Sequence, residues 1–518
     1  MVSSSKVNVT LTIVPYYHTK PYLPSVARLS CVGATREARA MVRSKRVGRD
    51  GVPPSLDRCL TSAIGRILER TVSDFRQYLA NLEKAGQLIH VSKGVSAEFE
   101  IAAYVRKSSD TDGPAFVFEH VKGHPGWRLA AGLYGTMARL PVALGCSMDQ
   151  VVDRYGAAVR SPISPRLVKD GPCRDVVRRG AEVDCASLPI VVHSELDAGR
   201  YVTAGVMFGR DPDTGILGVG LQRMQLKGPR LFGVNMPAER RVGRAALKAE
   251  DKDKRFGVAV VLGAGPYVDL ASQAKIPHTH DKLGVAGALA GRPIELVPCQ
   301  TVDADVPADA EIVIEGHFVP KAREPEGPFG EVAGTYGLLG NRHVFEVSAI
   351  TMRTDAMYQT ALSGMPTTDN HVQAWPAICE SIKRLAQQAC PEVVDVHAIG
   401  PYYIAIVSIR KRLAHEARNV ILSVLGPTAG APQAKYCIVV DPDVNVRDIN
   451  QVLWALYTRV QPDQDAMIFP PMVGAPLDPS APVHRHSSKM GFDATVPLGE
   501  SRERYNRVVV PGVDQVSW

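Results

Sequence analysis

Residues 324–331 form the stretch of this chain best suited to chemistry. They read Glu-Pro-Glu-Gly-Pro-Phe-Gly-Glu, which places Glu326 and Glu331 five residues apart on a segment whose prolines and glycines fix a turn. Two carboxylates held on a rigid turn can transfer protons, with one acting as a general acid whose pKa is raised by burial. A solvated acidic turn has the same composition, so this stretch alone leaves both interpretations open.

Other motifs carry weaker signals. Gly218-x-Gly220-x-x-Arg223 lacks the third glycine of a dinucleotide-binding loop and is not followed by a helix. Residues 278–280 (His-Thr-His) and 484–486 (His-Arg-His) each place two imidazoles on one side of an extended chain. Either pair could ligate a metal, although surface histidines in proline-rich loops are more common. The chain contains no G-x-S-x-G, H-E-x-x-H or P-loop motif, which removes the best-marked hydrolases, zinc proteases and nucleoside triphosphatases.

The body that must position these residues is large and globular. The chain has 518 residues, of which 45% are hydrophobic and 22% charged, and this length fits two to four domains. The net charge of +7 lies entirely in residues 1–50, where nine Lys and Arg face only Glu37 and Asp50. The remaining residues are balanced, with 51 basic and 51 acidic side chains, so we expect no binding to nucleic acid.

Cysteine usage and hydropathy bear on the compartment. The nine cysteines are scattered and form no C-x-x-C pair, which is typical of free thiols in a reducing environment. No apolar run reaches the roughly 20 residues that a membrane-spanning helix needs, and the first residues do not resemble a secretory signal. We therefore expect a cytoplasmic protein that does not bind membranes.

The periodicity of apolar residues predicts the order of the elements. Residues 1–65 are expected to be a basic tail with no catalytic role; a start codon placed too far upstream and an organellar transit-like segment are the alternatives. Ser73 then caps a helix that buries Phe75, Tyr78, Leu79 and Leu82 and ends at Gly86. Five period-two segments then predict a β-rich, barrel-like middle: Tyr201–Gly209, Ile216–Leu226, Val258–Gly263, Glu311–Val319 and His343–Met352. A bridging helix carries Val372, Trp375, Ile378, Ile382 and Leu385. Strands Tyr403–Ile409 and Tyr436–Val440, with a helix burying Ile449, Val452, Leu453 and Leu456, predict a last α/β domain.

Several motifs of this chain occur together in a fixed order and spacing. Glu326-Gly327-Pro328-Phe329-Gly330-Glu331, followed by Gly334-Thr335-Tyr336, resembles the signature loop of the UbiD family of decarboxylases. The resemblance continues in order and spacing over roughly residues 73–495, through Asp211–Gly215, Gly287–Gly291 with Glu295, Val306–Val313 with Glu315-Gly316, Asp443–Asn445, Trp454-Ala455, Thr458-Arg459 and Ser488–Gly491.

The resemblance implies a fold and its domains. The fold class is α/β (α+β), with an N-terminal α/β domain, a central split β-barrel that binds flavin, a linking helix and a C-terminal α/β domain. We place the basic tail at 1–65, the N-terminal domain at 66–175, the barrel at 176–355, the linking helix and C-terminal domain at 356–495, and a C-terminal tail at 496–518.

The resemblance also implies site residues and a cofactor, prenylated FMN. Arg223 falls on the family's active-site arginine, Glu326 on its partner glutamate and Glu331 on the acid that handles the proton. The positions expected to bind the cofactor are Leu221, Gln222, Arg223, Glu239, Pro277, Lys282 and Lys435.

Loss of CO2 from an sp2 carbon leaves electrons with no conjugated place to go, so an electron sink such as prenylated FMN is needed. Arg223 can hold the departing carboxylate in its planar fork, and Glu331 can protonate the carbon left behind. Glu326, between them, would keep the array ordered.

One departure from the family concerns metal. Members usually hold a divalent ion, Mn or Mg, with K+ nearby, through an Asn, a His and a Glu that anchor the flavin phosphate. Those positions fall here on Gly218, Glu239 and Lys282, and neither glycine nor a charged lysine offers a ligand. We expect no stoichiometric divalent metal, with Lys282 paired to Glu239 and facing the phosphate. A shifted alignment would instead supply ligands from Asn235, His278 or His280.

The sequence therefore predicts a reversible, non-oxidative decarboxylase of an aromatic, heteroaromatic or α,β-unsaturated acid, with a polycyclic acid such as phenazine carboxylate as one candidate substrate. The alternative is a non-catalytic flavin-binding homologue that acts as a cofactor carrier or assembly partner, and a metal-dependent decarboxylase without flavin is a third option. The expected partners are the acid and CO2, a flavin prenyltransferase that supplies the cofactor, and further copies of the chain in a dimer or hexamer.

Overall fold

The computed structural model describes residues 74–400, 403–426, 433–481, 483 and 485–516. The predicted tail over residues 1–65, the predicted cap Ser73 and His484 lie outside the described residues. The helices, in chain order, are α1 Phe75–Lys84, α2 Glu100–Asp110, α3 Arg139–Leu144, α4 Val151–Arg160, α5 Arg241–Asp251, α6 Pro266–Ala271, α7 Lys282–Ala290, α8 Asp369–Ala389, α9 Glu416–Leu425, α10 Ile449–Arg459 and α11 Pro462–Asp465.

The strands follow the same numbering. They are β1 Leu88–Val91, β2 Ala115–Phe118, β3 Arg128–Ala131, β4 Arg166–Leu167, β5 Val176–Arg179, β6 Tyr201–Val202, β7 Val206–Arg210, β8 Leu217–Leu221, β9 Met224–Gly228, β10 Leu231–Val234, β11 Phe256–Leu262, β12 Glu295–Pro298, β13 Asp305–Pro307, β14 Ile312–Glu326, β15 Phe329–Gly330, β16 Tyr336–Gly337, β17 Gly340–Met352, β18 Met357–Thr360, β19 Val393–Ile399, β20 Ile404–Ile409, β21 Tyr436–Val440, β22 Ala466–Val473 and β23 His486–Ala494.

Helix α1 begins one residue later than the sequence indicates. The Asp74 side chain caps it by accepting the Gln77 N–H at 2.8 Å. An ionised carboxylate at this position also complements the positive end of the helix. The predicted apolar face is buried, and the helix ends where Gly86 adopts a left-handed φ of 67°.

A four-stranded sheet forms the N-terminal part of the fold. Its order is β1-β2-β3-β18, with β1 parallel to β2 and β3 parallel to β18. Strand β2 is buried along its whole length, which matches its unbroken apolar sequence. Because β18 follows the central sheet in the chain, the central sheet is inserted between two neighbouring strands of this one.

The central sheet curls back on itself. Its order is β6-β9-β10-β17-β14-β11-β7-β8, with β5 paired to β17. Strands β8 and β9 therefore lie near opposite ends of the order, yet only Gln222 and Arg223 separate them in the chain. A sheet whose two ends are joined by two residues must close into a barrel that is split at this seam. The predicted split barrel is confirmed, and Arg223 lies at the split.

The long helix α8 follows β18 of the N-terminal sheet and leads to a five-stranded mixed sheet of order β19-β20-β21-β23-β22. The predicted apolar residues of α8 are all buried, at roughly 1.5–3 kcal/mol each for large side chains. Helix α10 also forms as predicted, but its buried face differs. Val452 is buried, whereas Ile449 is 46% and Leu453 49% exposed. Among the described helices, none is long and apolar enough to cross a membrane.

Candidate active site

Arg223 and two glutamates meet at the split of the barrel. The Arg223 guanidinium donates from Nε and Nη2 to the two oxygens of Glu326, at 3.1 and 3.2 Å, and from Nη1 to Glu331. Its side chain is 11% exposed, while that of Glu326 is fully buried. One planar fork thus holds both carboxylates that the sequence singled out.

The two glutamates reach Arg223 from different local structures. Glu326 is the last residue of β14, paired with Gly340 of β17, so the expectation that both acids lie on a turn is wrong for this one. Glu331 directly follows β15, at the start of the tight connection to β16. Only 8% of Glu331 is exposed, which excludes a solvated acidic turn.

Close packing fixes the loop that carries Glu331. A Cβ added to Gly337 would lie 2.9 Å from the Glu331 Oε1, so only glycine allows β16 to approach the carboxylate this closely. On the other side, Asp197 accepts the N–H groups of Gly330 at 2.8 Å and Ser194 at 2.9 Å. Sequence reasoning missed Asp197, although a Ser-x-x-Asp spacing is a known turn signal.

Two further residues missed from the sequence support the cluster. The Phe329 ring lies under the Arg223 guanidinium, 5.0 Å from its Cζ, and packs against Tyr201 with centroids 4.5 Å apart. His371 of α8 bonds the carbonyl oxygen of Val332 through Nε2 at 2.8 Å. Burial lowers the pKa of His371 to about 4, so a neutral imidazole anchors the loop.

The electrostatics suit acid chemistry. Burial raises the pKa of Glu331, and the neighbouring Glu326 carboxylate adds to that effect against the opposing influence of Arg223. Burial alone would lower the pKa of Arg223, but Glu331 and Glu326 outweigh it and the pKa is raised. Burial also raises the pKa of Asp197. The predicted raised pKa of one carboxyl of the pair is confirmed, and it belongs to Glu331.

Of the other residues expected to bind a cofactor, some lie beside the Arg223 cluster and others lie elsewhere in the fold. Leu221 ends β8, and Gln222 beside it donates to the Asn235 carbonyl oxygen. Lys435, in contrast, donates to Asp478 at 2.9 Å within the C-terminal sheet region. Burial alone would raise the pKa of Asp478. Hydrogen bonds, above all the one from Lys435, instead lower this pKa to about 2.

The remaining predicted positions lie around the start of α5 and α7. The expected ion pair between Lys282 and Glu239 does not form. Glu239 pairs with Arg485, and the Lys282 ammonium donates to the Ser272 carbonyl oxygen. The Pro277 carbonyl oxygen accepts from a guanidinium of α5. Burial, and after it the neighbouring cations Lys275, Arg241 and Arg240, lower the pKa of Lys282.

These residues do not fit a divalent metal. A Cβ at Gly218 would meet the Gly209 carbonyl oxygen at 3.1 Å, so a larger ligand side chain has little room there. In the part of the chain that the structure describes, no three His, Cys, Asp or Glu side chains gather as a metal site. A flavin fits better. A Cβ added at Gly220 would meet no atom within 4 Å, so the strand face beside Arg223 is open.

Several other matched motifs serve the scaffold. Glu311 accepts from Arg76 at 2.6 Å, and Glu315 accepts backbone N–H groups of the loop before β13 at 2.6–2.9 Å. Arg459 of α10 forms a buried ion pair with Asp441 at 3.0 Å. The buried charges of Glu311, Glu315 and Arg459 are compensated by these hydrogen-bond and ion-pair partners. None of the three residues contacts the Arg223 cluster.

Comparison with known proteins follows the same division into three parts. Three models of the 3-octaprenyl-4-hydroxybenzoate carboxy-lyase UbiD match consecutively: the N-terminal domain at residues 79–159, the Rift-related domain at 166–366 and the C-terminal domain at 374–494.

Among solved structures, the UbiD-class enzyme HmfF from Pelotomaculum thermopropionicum in complex with FMN is 36% identical, with a TM-score of 0.79 over 86% of this chain and 99% of that one. An evolved dimeric form of HmfF in complex with prFMN is 34% identical, with a TM-score of 0.77 over 86% and 99%. The vanillic acid decarboxylase of Sedimentibacter hydroxybenzoicus in closed form is 29% identical, with a TM-score of 0.76 over 86% and 97%.

Proposed function

This chain belongs to the UbiD family of carboxy-lyases, and from that premise we propose that it is a reversible, non-oxidative decarboxylase of an aromatic, heteroaromatic or α,β-unsaturated carboxylic acid. One observation carries the proposal: Arg223 holds the buried Glu326 and the acid Glu331 together at the split of the barrel. A carboxylate-binding cation and a proton donor in contact are what this reaction requires of the protein.

The proposed cofactor is prenylated FMN, which supplies, when bound, the electron sink that loss of CO2 from an sp2 carbon requires. The similar HmfF structures in complex with FMN and prFMN support this cofactor. The open strand face at Gly220, with Leu221 and Gln222 after it, is the surface we propose to hold the flavin. Lys435 is a proposed cofactor contact only in a state in which it leaves Asp478.

Arg223 is proposed to bind the substrate carboxylate through Nη1. Its Nε and Nη2 stay on Glu326, which is fully buried and cannot exchange them for water. Protonation of Glu331 turns that carboxyl from an acceptor into a donor and frees Nη1 for the incoming carboxylate. Glu326 is therefore the positioning residue that aims Arg223.

Glu331 is proposed to move the proton. Because burial raises its pKa, its carboxyl holds a proton to higher pH than an ordinary glutamate does. After CO2 leaves, Glu331 delivers this proton to the carbon that carried the carboxyl group. In the reverse reaction, carboxylation, Glu331 removes the proton from that carbon. Asp197 and His371 keep the loop of Glu331 in place through the backbone contacts described above.

The apolar surface beside the cluster supports an aromatic substrate. Leu338 and Leu339 are 82% and 63% exposed, and their backbone lies against Gly327. Met365, 64% exposed, lies against Gly334. Exposed large apolar side chains next to buried polar groups are typical of a binding surface for an apolar ring. One similar structure is that of a vanillic acid decarboxylase, which also favours an aromatic acid.

The test is a substrate panel on holoprotein co-expressed with a flavin prenyltransferase, the proposed cofactor supplier. An absorbance spectrum verifies the flavin, and CO2 release is measured with hydroxybenzoic, heteroaromatic, cinnamic and phenazine carboxylic acids. Protein made without the prenyltransferase is the control. We expect CO2 only from the co-expressed sample. Bound flavin with no release from any acid would favour a cofactor carrier instead.

Assembly and location are also proposals. Exposed apolar residues of α10, among them Tyr457 at 75%, and the dimeric HmfF structure support a homo-oligomer, which light scattering would measure. A reducing, cytoplasmic location is supported by the free cysteines: 146, 173, 185, 299, 379, 390 and 437.

A further inference from the structure

A cationic cavity lies beside the first half of β8. It has a volume of about 190 Å³ and lies between this strand, α5 and the loop before α7. Besides Gly218, the polar residues that face it include Arg241, Arg244, Lys248 and His278. The carboxylate on its wall belongs to Asp211, which Lys248 binds at 2.8 Å, and Lys248 also binds the neighbouring Asp213 at 3.2 Å.

The cavity is built to keep its cations in place. Arg241 donates to the carbonyl oxygens of Ile276, at 3.1 Å, and of Pro277 and His280. These contacts fold the loop so that His278 faces the cavity. Arg244, one turn further along α5, is exposed, and within the described ranges its guanidinium has no carboxylate partner. Because Lys248 is already paired with Asp211 and Asp213, the positive charge that the described residues leave unbalanced in the cavity is that of Arg244.

Further cations lie behind the wall. Lys282 and Lys275 are close enough to act on each other and on the arginines at the start of α5. Burial, with Arg241, Arg244 and Lys282, lowers the pKa of His278, and burial with Arg240 lowers that of Lys275 to about 7. Like charges gathered at one place destabilise a fold unless an anion binds there.

We propose that this cavity binds a phosphate monoester directly through Arg244, Lys248 and His278, with no divalent metal between protein and phosphate. The inference rests on the proposed function in one respect: the nearest source of such a group is the 5′-phosphate of the flavin. Free phosphate is the other source, with the same chemistry.

The position of the cavity suits the flavin source. Gly218, on its wall, and Arg223 are five residues apart, so they lie at most about 17 Å from each other along an extended chain. The open strand face at Gly220 lies between them. A flavin with its ring beside Arg223 and its phosphate in the cavity would cover that face.

The absence of suitable metal ligands supports direct contact. Gly218 offers no side-chain donor, Glu239 is occupied by Arg485, and Lys282 brings a positive charge where a divalent ion would add two more. A cation site already filled by ammonium and guanidinium groups repels Mn2+ or Mg2+. Guanidinium and ammonium groups themselves bind phosphate well.

The experiment compares the binding of FMN and riboflavin, which lacks the phosphate, to apoprotein by quenching of flavin fluorescence. The test variant is Arg244→Gln. The matched control is Lys254→Gln, which removes one positive charge from an exposed lysine just beyond α5 and outside the cavity. Inorganic phosphate is then added as a competitor, and all titrations are repeated with EDTA, with elemental analysis of the purified protein.

We expect wild-type protein to bind FMN at least tenfold more tightly than riboflavin, with or without EDTA. Arg244→Gln should weaken the binding of FMN about tenfold and change the binding of riboflavin by less than about twofold. Tenfold is the lower end of the effect of one charge-assisted hydrogen bond, and we expect the lower end because Arg244 is exposed. Lys254→Gln should change neither. Inorganic phosphate that competes with FMN identifies the flavin phosphate as the occupant. Phosphate binding that Arg244→Gln weakens, without any FMN preference, identifies free phosphate.

Three results would overturn the inference: equal losses in the two variants, absence of both FMN preference and phosphate binding, or FMN binding that needs one tightly held divalent metal per chain. None of these depends on turnover. A protein that binds FMN as expected but releases no CO2 would refute the proposed function and leave this site standing.

Discussion

Replacement of Arg223 by lysine tests how the site is held together. Three guanidinium nitrogens of Arg223 serve two carboxylates, with Nε and Nη2 on Glu326 and Nη1 on Glu331. A lysine keeps the positive charge but has one nitrogen at the end of a flexible chain. The lysine can hydrogen-bond to one glutamate or the other, and it cannot present a planar fork to a substrate carboxylate.

The magnitude follows from the hydrogen bonds that the substitution removes. Two of the three disappear, and the side chain of Glu326 is fully buried, so water cannot replace them. At roughly 1.5–3 kcal/mol per hydrogen bond to a charged group, the loss is at most about 3–6 kcal/mol. Because lysine retains the positive charge, we expect the lower end of that range, a decrease of about 3 kcal/mol in the free energy of unfolding. Turnover should fall by about 10²–10⁴-fold, since the carboxylate is no longer aligned.

Urea unfolding and CO2 release from holoprotein measure the two effects. Arg210→Lys is the matched control, because Arg210 also bridges two carboxylates, Asp303 at 3.0 Å and Asp305 at 2.6 Å, but is more exposed than Arg223, at 28% of its side chain. Arg210→Lys should lower the free energy of unfolding by less than about 1 kcal/mol and leave turnover unchanged. If Arg223→Lys behaved like this control, the fork geometry would have no role and the reasoning would be refuted.

Three more predictions follow from the same site and from the sequence. Glu331→Gln should retain the flavin but lose about 10²–10⁴-fold in CO2 release, because an amide cannot donate the proton, and near-normal turnover would remove Glu331 from the mechanism. Glu326→Gln removes a like charge that helps raise the pKa of Glu331, so the pKa falls and the alkaline limit of kcat/KM should move to lower pH. An unchanged or higher limit would contradict that coupling. Deletion of residues 1–60 should remove most of the net charge and little activity, and loss of folding would show that the predicted tail is structural.

The sequence predicted much of the fold because its signals are local. Alternating apolar residues identified the barrel strands, and helical spacing identified α8 and α10. Which face of α10 is buried depends on what packs against it, and that information is absent from the helix itself. Hence Val452 is buried while Ile449 and Leu453 are half exposed.

The site shows the same limit. Glu326 and Glu331 were found from their own loop and from the family resemblance, but the contacts of Phe329 and His371 are three-dimensional and no spacing reveals them. For Asp197, the Ser-x-x-Asp spacing indicates a local turn but not the bond from Gly330. Lys282 shows the converse error: charge alone suggested a partner in Glu239, whereas burial among other cations and the reach of Arg485 decided otherwise.

The most direct test of the central claim is the product formed in D2O. Holoprotein is incubated without oxygen with the acid that the substrate panel identifies, and product and CO2 are measured by NMR and gas analysis. We predict one CO2 per product and one deuterium at the carbon that carried the carboxyl group, both lost together in Glu331→Gln. Product without deuterium at that carbon, or no CO2 from flavin-loaded protein with any acid, would contradict the account.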